Sequence, residues 1–201
     1  MINKSDKKLI DGLRCGDADG CRALYDAYGK RVMGFALRLT GSISDAEDLT
    51  QETFIAAYCG RASFRGDSRP IAWLLGICSR RWRDKIRCCQ IETLRYTEND
   101  AETGRHGAAW QISKSLEATV TESLTLNAAL SELGEMERCA VLLVVSQGLG
   151  YKEAAAAMNE PDGTVKWRVS TALRKLQKLM LKDDIEWKGG PDNHGMQKII
   201  L

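Results

Sequence analysis

Proline occurs three times in 201 residues, histidine twice and phenylalanine three times. Seven cysteines, at positions 15, 21, 59, 78, 88, 89 and 139, include no C-x-x-C pair, and seven is an odd number. A disulfide framework and a zinc ribbon are therefore both excluded, and reduced, mostly buried thiols are expected. His106 and His194 have no acid or cysteine placed as a triad partner, and Gly148-Leu-Gly150 lacks the rest of any phosphate-loop pattern. No catalytic centre, metal or cofactor is expected. The longest uninterrupted apolar run, Cys139 to Val145, falls far short of the roughly 20 residues of a spanning helix. The opening Met-Ile-Asn-Lys-Ser-Asp-Lys-Lys has no apolar core of a secretory signal. A cytoplasmic protein without membrane insertion is the expectation.

What is present points to helices. Leu24, Tyr28, Val32, Phe35 and Leu39 recur at three or four residues, the stripe of an amphipathic helix. Gly41-Ser42 ends it, and Ser44 with Glu47 has the capping-box spacing that would open a second helix running to about Cys59. A charged loop, Gly60 to Arg69, precedes Pro70, a residue suited to a first helical turn. Ile71, Leu75, Cys78 and Trp82 then mark the buried side of a helix ending near Arg87. From Thr97 to about Thr121 the composition turns polar, as in a linker. A second helical unit opens near Glu122 and closes with a helix over 163–181, and the tail after it contains Gly189-Gly190-Pro191. The expected fold is all-α: two small helical domains, 1–92 and 123–182, joined by a flexible acidic or polar linker, 93–122, and followed by a tail, 183–201.

The near-neutral total of +2 conceals segregated charge. Residues 41–60 carry Asp45, Glu47, Asp48 and Glu52 and no base. Residues 61–95 carry nine bases against three acids, an excess of six, and residues 163–182 carry six bases and no acid. Two basic helices fit two contacts with one polyanion. On the first, Arg80, Arg83 and Arg87 share a face at i, i+3, i+7 and are placed to meet successive phosphates, although a solvated surface face has the same pattern. The helical spacing puts Trp82 in the core and leaves Trp73 open between core packing and base stacking.

The second basic helix has the sharper signature. Tyr151 to Met158 reads as a short helix, Asn159-Glu160-Pro161-Asp162-Gly163 as a tight turn, and Thr164 onward as a helix with Val165, Val169, Ala172, Leu173 and Leu176 facing inward. This is a helix-turn-helix whose second helix is basic outside, as a major-groove reader is. Thr164 and the free donors of the helix start are suited to a phosphate, while Lys166, Arg168, Thr171 and Lys175 supply the polar outer side. Trp167 lies about 200° from both Val165 and Val169 at 3.6 residues per turn, away from the core. It contacts DNA, contacts a protein partner, or packs on neighbouring Lys and Arg stems.

Asp45-Ala-Glu-Asp-Leu-Thr-Gln-Glu-Thr-Phe54, with Phe64-Arg-Gly-Asp and Trp73-Leu74 after it, resembles the second conserved region of bacterial RNA polymerase sigma factors of the extracytoplasmic-function (ECF) type. Gly148-Leu-Gly-Tyr-Lys-Glu-Ala-Ala and Gly163-Thr-Val-Lys-Trp-Arg168 resemble their fourth region. The resemblance implies that Asp45, Asp48, Gln51 and Glu52 dock on core polymerase. It implies that the loop Gly60 to Pro70 pockets a flipped base of the minus-ten element. Arg61, Phe64, Arg65, Arg69, Trp73, Arg80, Arg83 and Arg87 would form the minus-ten surface, and Thr164, Lys166, Trp167, Arg168, Thr171 and Lys175 the minus-thirty-five surface. Core RNA polymerase, promoter DNA and an anti-sigma factor are the implied partners. Arg80, Trp167 and Thr171 stand where the family often has Asn, Ser and a basic residue, so promoter preference does not transfer from relatives. Trp73-Leu74 replaces the Trp pair of housekeeping sigma factors, which implies weaker intrinsic melting. A stand-alone helix-turn-helix regulator and a sigma mimic that titrates an anti-sigma factor are the alternatives.

Overall fold

In the computed structural model of the chain, residues 4–14, 18–64, 66, 68–97 and 127–182 are described. All regular structure among them is helical. Helix α1 (Lys4–Arg14) crosses α2 (Ala18–Thr40) where Gly12 meets Gly20, and a Cβ on Gly20 would collide with the Gly12 backbone. Tyr28 on α2 donates a 2.7 Å hydrogen bond to Asp6 on α1. Burial and that bond push the Tyr28 phenol up to about 12. Gly41, at φ 72°, terminates α2 in the left-handed conformation that glycine adopts without a steric penalty.

Helix α3 (Ile43–Cys59) is capped by Ser42, whose extended backbone lets its hydroxyl accept from the Asp45 amide. This corrects the Ser44–Glu47 cap expected from spacing: the sharp turn at Gly41 places Ser42 at the non-helical position that a cap requires. A 3₁₀ turn (Arg61–Ser63) follows, then α4 (Pro70–Thr97). Helix α4 runs ten residues beyond the expected end at Arg87, because residues 88–96 contain no glycine or proline even though the apolar stripe stops. It thus includes the first residues assigned to the linker. Residues 98–122, the expected start near Glu122 and the tail lie outside the described residues.

The second unit begins with α5 (residues 127–131), α6 (Glu135–Val141) and a π-helical turn (Leu142–Ser146). Helices α7 (Tyr151–Met158) and α8 (Asp162–Lys182) complete it, with Asn159 between them at φ 54°. The expected helix-turn-helix is present. Two glutamates three residues into their helices satisfy free amides, Glu137 at Gly134 and Glu153 at Gly150.

The two units share one core. A continuous cluster of buried side chains runs from Leu24, Phe35 and Leu49 through Leu74, Leu75 and Cys78 to Cys139, Leu142, Met158 and Leu176. Trp82 belongs to it, at 5% exposure. Across the junction the Cys139 thiol reaches the Ser79 hydroxyl at 3.5 Å, and Arg38 donates to the Ser146 hydroxyl at 2.7 Å. Arg138 gathers the carbonyls of Leu130, Ser131 and Leu133 and also that of Leu39 at the end of α2. Burial pushes the thiols up, to about 12 at Cys78 and about 11 at Cys139. Among the described cysteines Cys78 and Cys139 are buried, but Cys59, Cys88 and Cys89 are exposed, against the expectation of mostly buried thiols. They lie at the end of α3 and beyond the apolar stripe of α4, where no core exists to cover them.

Candidate nucleic-acid interface

Three surfaces carry the charge segregation of the sequence. On α3, Asp45, Asp48 and Gln51 are exposed along one face. Glu52 is half-exposed and pairs with Lys85 of α4 at 2.9 Å. Asp45 lies in the first helical turn, where the helix dipole favours a negative charge. Asp45, Asp48 and Gln51 are thus open to solvent on the surface of α3.

The loop before α4 is built around buried aromatic packing. Phe64 is 4% exposed, with its ring centroid 4.6 Å from that of the half-buried Trp73, and its carbonyl accepts from Arg14 at 2.6 Å. Phe64 therefore shapes the loop from beneath and is not a free stacking surface in this conformation. Trp73 packs one side against Phe64 and remains partly exposed. Arg61 lies over the Tyr58 ring, 4.5 Å from its centroid, and donates to the Tyr58 carbonyl. Arg65 lies outside the described residues. Arg69 makes a bidentate ion pair with Glu153 of α7, at 2.9 and 2.7 Å, and reaches the Gly148 carbonyl. The hydrogen bond between them holds the Glu153 carboxyl below its ordinary value and raises the Arg69 guanidinium.

Arg80, Arg83 and Arg87 share a face of α4, as their spacing requires. With Asp84 they line a cleft of about 510 Å³ whose other wall is Ala156 and Asn159 of the helix-turn-helix. Arg83 also donates to the Ser79 carbonyl and Arg87 to Asp84.

On α8, each basic residue singled out by the sequence has an acidic partner. Lys166 pairs with Asp162 at 3.6 Å, Arg168 with Glu160 through two bonds of 2.8 and 3.0 Å, and Lys175 with Glu137 at 2.7 Å. Lys166 and Lys175 remain about half exposed, whereas the Arg168 side chain is only 24% exposed. Arg168 thus braces the turn. Trp167 projects outward at 60% exposure, while Thr164 and Thr171 are half-buried. Ser170, Arg174 and Lys178 are exposed and lie within about 60° of Trp167 at 3.6 residues per turn. They had not been singled out, yet counting three, seven and eleven residues on from Trp167 finds them. Glu153 and Glu160 were also passed over, because their partners are remote or cross the turn.

Two small helical units, one with an exposed acidic face and one with a helix-turn-helix, have the layout of a DNA-binding protein. Residues 24–90 match the model of Sigma-70 region 2, and residues 123–176 that of Sigma-70 region 4. The chain is 33% identical over 162 residues to the ECF RNA polymerase sigma factor EcfG of Rhodopseudomonas palustris, covering 81% of this chain and 85% of that one. It is 28% identical over 186 residues to the RNA polymerase sigma-H factor of Pseudomonas aeruginosa, covering 90% and 96%. Among solved structures, it resembles the sigma factor RpoE from Bartonella quintana in complex with the anti-sigma factor NepR. That match has 28% identity and a TM-score of 0.57, covering 80% of this chain and 95% of that one. The fold is shared with CnrH in complex with the cytosolic domain of CnrY, at 22% identity and a TM-score of 0.66, covering 90% and 99%. The chain belongs to the ECF RNA polymerase sigma factor family. Among the described residues no helix is long and apolar enough to cross a membrane.

Proposed function

We propose that the chain is a dissociable specificity subunit that docks on core RNA polymerase, recognises two promoter elements, aids opening of the duplex and then leaves. It performs no catalysis of its own and works in the cytoplasm under an anti-sigma factor. The observation that carries this reading is the presence, on one chain of this family, of an exposed acidic face on α3 and an outward-facing helix-turn-helix on α7 and α8. Asp45, Asp48, Gln51 and Glu52 supply the polymerase contact. Arg61, Arg65, Arg69, Arg80, Arg83 and Arg87 supply phosphate contacts near the minus-ten element, where Phe64 and Trp73 form the floor of the specificity loop.

In the minus-thirty-five groove, Trp167, Thr171 and Arg174 face the bases, and Lys166 and Lys175 exchange their carboxylate partners for phosphates. Arg168 positions the helix through Glu160, and Thr164 stands at its phosphate-facing start.

Run-off transcription with core polymerase and a genomic promoter library tests the reading. Discrete new start sites are expected; their absence while the protein still binds duplex DNA would favour a stand-alone regulator, and binding to an anti-sigma factor alone would favour a mimic. Asp48→Arg is expected to abolish co-purification with core polymerase while leaving the circular dichroism spectrum unchanged.

A further inference from the structure

Helix α1 precedes the residues that match Sigma-70 region 2, yet it is built into that unit. Ile10 and Leu13 are buried, Gly12 lies directly against Gly20, and the Tyr28–Asp6 hydrogen bond holds the first turn. Together these contacts fix how far α1 extends along α2. Its last residue, Arg14, therefore arrives at a defined place beside the loop before α4. There its Nη2 donates to the Phe64 carbonyl at 2.6 Å, and the same nitrogen would lie 4.0 Å from a Cβ on Gly66. Phe64 is the residue at which the chain leaves the 3₁₀ turn, with φ −73° and ψ 104°, and Gly66 holds a left-handed φ of 82°. A guanidinium donor makes one of the stronger hydrogen bonds a protein can place on a carbonyl. Because the Phe64 ring packs on Trp73 with centroids 4.6 Å apart, a shift of the Phe64 backbone is passed on to Trp73.

We propose that α1 braces the minus-ten loop and that Arg14 is its positioning residue: the bond to the Phe64 carbonyl sets where the Phe64–Trp73 floor stands, and so which base the loop accepts. This rests on the sigma-factor reading above. Arg14 acts through the main chain of Phe64 and touches no base. An arginine that neutralised a phosphate would raise affinity for every promoter alike, whereas one that holds a loop changes the ratio between promoters. The signature of the brace is therefore an altered minus-ten preference with polymerase docking left intact, since the acids of α3 are not among the groups Arg14 touches.

The test uses the full chain with core polymerase in four forms: wild type, Arg14→Ala, Arg14→Lys and Gly20→Ala. Transcription is read from a library that keeps one minus-thirty-five element and randomises the minus-ten element. Arg14→Ala is expected to lower discrimination at the pocketed base by about tenfold, the weight of one charge-assisted hydrogen bond. Gly20→Ala keeps Arg14 but drives α1 off the Gly12 contact, and is expected to have the same effect. Arg14→Lys retains a charged donor and is expected to restore part of the preference. Affinity for core polymerase, and the log–log salt slope of holoenzyme binding to one promoter, are expected to match wild type in all three variants.

Wild-type base preference in variants of native helicity would overturn the brace, as would a lysine variant that restores nothing. An even loss across the library, with a salt slope smaller by about 0.9 in Arg14→Ala alone, would overturn it in favour of a phosphate contact. If Gly20→Ala fails to fold, the two Arg14 variants decide. Run-off transcription by wild type separates the two levels. No promoter-specific transcript condemns the sigma-factor reading, whereas normal transcription with unchanged preference in the variants condemns only the brace.

Discussion

The two basic segments, residues 61–95 and 163–182, carry the same excess of charge in sequence but hold it in different states. On α4 the arginines face the second unit across a narrow cleft, and the nearby Arg69 is engaged by a carboxylate 84 residues away. On α8 Lys166, Arg168 and Lys175 are paired locally, within the second unit, and the outer surface around Trp167 is open. Charge composition thus measures a capacity for binding DNA, while tertiary partners determine when it is available. Releasing α4 requires a movement of whole units. Releasing Lys166 or Lys175 requires only a side-chain exchange, because exposed ion pairs are weak.

The contrast is broken most severely by detaching the units. Arg138→Ala removes donors to four carbonyls, one of them on α2. It is expected to cost about 3 kcal/mol in urea denaturation, since buried acceptors left without donors lose about 1–3 kcal/mol each and partial hydration offsets part of the sum. A smaller effect follows from Arg168→Ala, which frees Glu160 in the turn. A loss of about 1–2 kcal/mol is expected from removing a charge-assisted bidentate contact. Binding should weaken evenly across promoter sequences, whereas Arg174→Ala should alter sequence preference without lowering stability; a selection from randomised duplexes distinguishes them.

The smallest effect is that of pH on the Arg69–Glu153 pair. The folded Glu153 carboxyl is depressed below its ordinary value of 4.5 by Arg69. Its stabilisation is therefore fully present above that ordinary value and lost as pH falls through the lowered one. The partly exposed pair contributes under about 1 kcal/mol. Stability in urea denaturation should stay constant through neutral pH and fall only in acid, and Glu153→Gln should remove that response.

Local order was readable in the sequence to the extent that it is set by neighbouring residues. The helical stripes of α2 and α4, the turn at Asn159 and the outward Trp167 follow from a period of 3.6 residues and from turn chemistry. The cap of α3 was misplaced by two residues, because the left-handed Gly41 that selects Ser42 is a backbone fact that spacing does not encode. The end of α4 was set too early because the apolar stripe stops while helix-compatible residues continue. The acidic face of α3 was legible because all its members lie on one helix. Arg69–Glu153 and Arg138–Leu39 were not, since nothing in either segment's local pattern names a partner 84 or 99 residues away. The resemblance put Phe64 on the minus-ten surface, whereas in the fold it is buried against Trp73, a relation that only the approach of α1 and the loop creates.

The separation of Arg69 from Glu153 also sets a schedule. Arg69 leaves the ribosome before its partner exists, and Glu153 is added 84 residues later. At about 5–20 residues per second, that interval lasts roughly 4–17 s. During it Arg69 has no carboxylate partner from the second unit, and a product terminated before α7 never acquires one.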